Sequence, residues 1–164
     1  MNMLPFLITP QDLDEVVRPA VRLLDKIVNS SRLTDRATEP VLLLVDVLHD
    51  LPNPCPWMNA AVTVTGPRRW YGDHEIYHFW TIRIEGNSLE ISGGGHFYRQ
   101  STGGDSFTSF RWAASPGEEA WCDDYFSTLD IVDDAATFAE HEKRIDLSDA
   151  GYKIDVEVDG ESVE

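Results

Sequence analysis

The residues His74-Glu75-Ile76-Tyr77-His78 match the pattern H-E-x-x-H. On a helix that pattern builds a zinc hydrolase site. The two imidazoles return to one face about 6 Å apart along the axis and share one ion, and the glutamate acts as general base on a metal-bound water. On a strand the same residues cannot do this. Positions i and i+4 share a face but lie about 13 Å apart, whereas a ligand nitrogen sits about 2 Å from zinc. The chemistry therefore turns on local structure.

Of the eleven residues Glu75 to Glu85, seven are Ile, Tyr, Phe, Trp or Thr, and none is Ala or Leu. That is strand composition. Alternation puts His74, Ile76, His78, Trp80, Ile82 and Ile84 on one face, and Glu75, Tyr77, Phe79, Thr81, Arg83 and Glu85 on the other. This pattern predicts a central strand covered on both faces, although helical spacing also fits in part through Ile76, Phe79 and Trp80. Gly72-Asp73 leaves little helix ahead of the motif, and Thr81 and Ile84 stand where the extended metalloprotease pattern requires Gly and His. A third ligand would come from Glu90, Glu118 or Glu119, and nothing selects among them. The expectation is a strand with no metal and no cofactor. The alternative is a zinc-dependent hydrolase or metalloprotease with His74 and His78 as ligands and Glu75 as base.

The second constellation is acidic and aromatic. Trp121, Tyr125 and Phe126 sit among Glu118, Glu119, Asp123, Asp124, Asp130, Asp133 and Asp134. Aromatic anchors ringed by charge suit an interface to a partner of opposite sign. The bland alternative is ordinary core aromatics beside a solvated face.

The net charge of −16 is unevenly spread: residues 1–116 carry 13 acidic and 10 basic side chains, residues 117–164 carry 16 and 3. Such a surface repels nucleic acid and anionic membranes and attracts cationic partners. The leading expectation is thus a small acidic cytosolic binding protein that takes a basic protein partner. A concrete form is an inhibitor or immunity-type protein masking a basic site such as that of a toxin nuclease. Trp121, Asp123, Asp124, Tyr125, Phe126, Asp130, Asp133 and Asp134 would form its binding surface. A structural or regulatory module without catalytic activity is the further alternative.

Other patterns are weaker. Ser92-Gly93-Gly94-Gly95-His96 and Thr102-Gly103-Gly104-Asp105 lack the Lys-Ser/Thr and the following helix of a phosphate loop, so turns or bulges explain them. Asp155-x-Glu157-x-Asp159-Gly160 imitates an EF-hand start, but the closing glutamate would fall beyond Glu164. There is no G-x-S-x-G. Cys122 is flanked by carboxylates that blunt a thiolate.

The elements that must position these residues read as follows. The 164 residues suit one domain, with 42% hydrophobic and 10% aromatic content of the globular kind. Two lone cysteines, no basic leader and no long apolar run point to the cytoplasm. Thr9-Pro10-Gln11-Asp12 starts a helix, with Pro19 expected to kink or split it. The segment 41–48 reads as helix or buried strand; helix is favoured, with Thr38 as cap and Pro40 in the first turn. After a helical stretch over 9–50 and a Pro-rich connector over 51–56, β language takes over at 60–113. Strands are expected at 60–65, 75–85, 88–92, 96–100 and 106–113, with Gly93-Gly94-Gly95 as a break. An acidic segment over 117–160 holds a possible strand at 128–132, a helix from Asp133 to about Arg144, and a half-exposed strand through Tyr152, Ile154, Val156 and Val158. The fold class is α+β: an N-terminal helical segment on an antiparallel β-meander, then an acidic helix and a final strand. An exposed sheet edge leaves monomer and homodimer both open.

Overall fold

Thr9 opens the first helical turn in the computed structural model, which describes residues 8–51, 59–71, 74–86, 88–99, 103–114, 121–122, 143–148 and 151–164. Its hydroxyl accepts from the Asp12 amide, and the Asp12 carboxylate accepts from the Thr9 amide, a reciprocal capping box with Pro10 at the first helical position. The turn α1 (Pro10–Asp12) runs into a π-helical turn, Leu13–Val17, and then into α2 (Arg18–Asn29). The widening has a cause in Pro19. A proline gives no N–H to the ladder, and just before it the Arg18 amide donates to the Leu13 carbonyl five residues back. The expected split at Pro19 thus takes the form of a π turn, which lets the chain stay helical.

The segment 41–48 is helical, within α3 (Asp35–His49), but the helix begins a turn earlier than expected. Thr34, not Thr38, is the cap: its side chain accepts from the Ala37 amide at 3.3 Å, leaving Pro40 inside the helix. Burial of Ala37 and Val41 explains the earlier start, because the first turn already contributes to the core.

Among the described residues eight strands make one sheet in which every pairing is antiparallel: β1 (Asn59–Thr65), β2 (Arg69–Tyr71), β3 (His74–Glu85), β4 (Ser88–Arg99), β5 (Gly103–Ala114), β6 (Trp121–Cys122), β7 (Lys153–Val158) and β8 (Glu161–Ser162). The order is β6-β5-β4-β3-β1-β7-β8, with β2 on β3 beyond the end of β1. The protein is α+β. Strand β7 returns beside β1, on the side away from β3.

Gly93-Gly94-Gly95 does not break the chain. β4 runs through it with a bulge between Gly93 and Gly94, and the three glycines face His78, Phe79 and Trp80 on β3. Glycines opposite three bulky side chains leave those side chains room, and a bulge there adds local twist.

One face of the sheet forms the core. Val62 and Val64, Trp80, Ile82 and Ile84, Leu89 and Ile91, Trp112 and Val156 pack with Ala20, Leu23, Leu24 and Ile27 of α2 and with Val41, Leu44 and Leu48 of α3. Their alternation along each strand is the period-two pattern of a sheet with helices on one side. Ile145 and Leu147 join the same core. The expected strand at 128–132 and most of the helix from Asp133 lie outside the described residues; Lys143 and Arg144 are helical. Among the described residues no helix is long and apolar enough to cross a membrane.

Candidate functional site

His74 and His78 lie on β3. They stand four positions apart on extended chain, so the helical geometry that would let both imidazoles share one zinc ion is not formed. Among the described residues no three His, Cys, Asp or Glu side chains gather as a metal site. The His78 ring nitrogens are shielded from solvent, and its ring lies 6.3 Å from that of Trp80. Glu75 belongs to the opposite, outward face of β3.

That outward face is laced by ion pairs. Arg83 reaches Glu85 at 3.2 Å and Glu157 at 3.8 Å. It spans β1 to do so, because Ala61, its neighbour in the row and that of Glu157, has too small a side chain to stand between them. Arg111 meets Glu90 at 2.6 Å, and Lys153 meets Asp155 at 3.3 Å. The Thr63 and Thr81 hydroxyls are hydrogen-bonded across β1 and β3 at 3.2 Å. The described part of this face is therefore close to charge balance.

At the end of this face where β2 pairs with β3, a cleft of about 200 Å³ is lined by Arg68, Glu75, Tyr77 and Tyr98. Strand geometry assembles it. Glu75 and Tyr77 are two apart on β3 and share a face, and Tyr98 on β4 is the register partner of Glu75. Arg68 immediately precedes β2 and crosses back over the same face. Its guanidinium stands 5.8 Å from the centroid of the Tyr77 ring and 3.7 Å from the Glu75 carboxylate. The Glu75 side chain is 22% exposed and that of Arg68 70%. Tyr98 is 40% exposed, so its ring is open to an incoming group. A carboxylate between tyrosine rings is an arrangement for holding a cation.

Of the residues expected to bind a partner, Trp121 lies on β6, where it pairs with Arg111 of β5. Asp123, Asp124, Tyr125, Phe126, Asp130, Asp133 and Asp134 lie outside the described residues. Arg68, Tyr77 and Tyr98 were not singled out from sequence. The face assignment for 75–85 already put Glu75 beside Tyr77. The register that adds Tyr98, and the short strand β2 that brings in Arg68, carry no local signal.

No protein-family model, curated protein or solved structure matches this chain.

Proposed function

We propose that this chain is a binding protein that captures a basic protein partner through the carboxylates of its C-terminal third. An inhibitor or immunity-type protein masking a cationic site, such as that of a toxin nuclease, is the concrete form. Segregation of charge supports the reading. On the outward sheet face Arg83, Arg111 and Lys153 each face a carboxylate. Residues 118–142, by contrast, hold nine Asp and Glu and no Lys or Arg. Carboxylates massed without counter-charge project an attractive field over roughly one Debye length, about 8 Å at physiological salt. Such a field speeds encounter with a cationic partner, while Trp121, Tyr125 and Phe126 would slow its release.

The test is kinetic. A partner is recovered at low ionic strength on the immobilised chain. Its association rate is then measured against wild type and against a variant carrying Asp123→Asn, Asp124→Asn, Asp133→Asn and Asp134→Asn. The expected result is an association rate lower by about tenfold or more with a flatter salt dependence. An unchanged rate and salt dependence would sink the proposal.

A further inference from the structure

The cleft between Arg68, Glu75, Tyr77 and Tyr98 points to more specific chemistry. We infer that it is a receptor for a single cationic side chain, the head group of an arginine or lysine, and that Arg68 is a resident placeholder which such a group displaces. The inference extends the reading of a basic partner, but it stands on different residues and is tested without that partner.

The walls suit a cation. Glu75 supplies the charge and is mostly withdrawn from water, which strengthens its pull on a counter-ion. Tyr77 and Tyr98 supply ring faces with the negative quadrupole that attracts guanidinium and ammonium groups. The glutamate also argues against an anion site built on Arg68, since a phosphate or carboxylate bound there would lie against Glu75 in the same small cleft.

The resident group is held loosely. At 3.7 Å the Arg68–Glu75 contact is longer than the roughly 2.7–2.9 Å of a charge-assisted hydrogen bond. Its 5.8 Å approach to the Tyr77 ring is close to the limit of about 6 Å at which a cation still feels the ring. With 70% of its side chain exposed, Arg68 gives up little on leaving. An incoming guanidinium can instead make the two-pronged contact with Glu75 that Arg68 does not make, with Tyr98 beside it.

The experiment titrates the whole chain with N-acetyl-arginine amide, a guanidinium probe without a charged backbone. Amide chemical shifts of Glu75, Tyr77 and Tyr98 are followed, and each variant is first checked for an unchanged circular dichroism spectrum. Glu75→Gln should weaken binding about tenfold or more, the loss expected for a hydrogen bond to a charged group. Arg68→Ala should tighten it by about fivefold, because a competing exposed ion pair and ring contact are gone. If Arg68→Ala weakens binding, if Glu75→Gln leaves it unchanged, or if the probe shifts none of these amides even in Arg68→Ala, the inference is overturned. Shifts with inorganic phosphate in place of the probe would overturn it as well, by showing an anion site. The variant with four Asn substitutions between 123 and 134 should bind the probe like wild type. The cleft and the acidic third can thus fail separately.

Discussion

Glu75 and Tyr98 are register partners across β3 and β4, so the glutamate of H-E-x-x-H lies beside an exposed tyrosine on the outward face of the sheet. Residue 78 falls on the other face, that of Trp80. In a helical H-E-x-x-H the glutamate and the two histidines cooperate around one ion. Here Glu75 and His78 stand on opposite faces of a sheet, and Glu75 acquires different neighbours: Arg68, Tyr77 and Tyr98.

His78 is a packing residue of β3. It sits against Trp80 and opposite Gly95, where a smaller side chain would leave a gap. His78→Ala should lower stability by about 1–3 kcal/mol and leave the metal content of the purified protein the same as in wild type. Elemental analysis beside a urea melt measures both. One zinc per chain, lost in the variant, would contradict the strand geometry at 74–78.

The start of α3 gives a paired test. Thr34 accepts from the Ala37 amide, whereas the Thr38 hydroxyl donates to the Thr34 carbonyl at 2.9 Å from within the helix. A true cap is worth about 1 kcal/mol on replacement by alanine, and an interior threonine that bonds back to its own helix is worth little or less than nothing. Thr34→Ala should therefore destabilise by about 1 kcal/mol, and Thr38→Ala should stay within about 0.5 kcal/mol of wild type. Equal effects in denaturant melts would move the cap.

The ion pairs of the outward face are expected to matter little to stability. Arg111 and Glu90 meet at 2.6 Å, yet their side chains are 45% and 27% exposed. Exposed pairs of this kind contribute about 0–1 kcal/mol. Glu90→Gln should stay in that range, and the difference should shrink with added salt. It should also leave the association rate with a basic partner nearly unchanged, because one carboxylate removed from a balanced face alters the long-range field far less than four removed from an unbalanced segment. A Glu90→Gln effect as large as that of the four Asn substitutions would mean that the charge segregation carries no functional weight.

Local signals were legible in the sequence, and long-range ones were not. The Thr9 capping box, the apolar spacing of α2 and the alternation of β1 and β3 each follow from a few neighbouring residues. Two threonines four positions apart precede the apolar run of α3, and local sequence does not choose between them as its cap. Burial of Ala37, a tertiary fact, decides between them. The glycines of β4 look like a break until His78 and Trp80 are known to lie opposite. The β7–β8 hairpin did carry a local signature. Asp159-Gly160 adopts positive φ of 52° and 81°, as a two-residue type I′ turn requires, although in sequence the dipeptide also fits the start of an EF-hand loop. The cleft was out of reach for a different reason. Alternation gives the face of each strand, but not which strands are neighbours or in what register. Arg68, Glu75 and Tyr98 meet only through both.

The chain that follows residues 118–142 is anchored at a short turn whose strength should depend on acidity. Ile145 and Leu147 are buried in the core, and Asp146 between them is exposed. Its Oδ1 accepts from the Ser148 hydroxyl at 2.7 Å and from the Ser148 amide at 2.9 Å. The hydroxyl bond first, the amide bond second and the charge of Lys26 last hold its carboxyl below the ordinary aspartate range, against a small opposing effect of desolvation. A carboxylate whose folded pKa is depressed stabilises the fold above its unfolded pKa of about 3.9. It loses that contribution as pH falls through the lower, folded value. The stability difference between wild type and Asp146→Asn, measured as a urea midpoint, should therefore be present at neutral pH and close as the solution is acidified below the ordinary aspartate range. Ser148→Ala removes the hydroxyl partner and should leave only part of that pH dependence. A difference that does not vary with pH would mean that the Asp146 charge takes no part in docking Ile145 and Leu147.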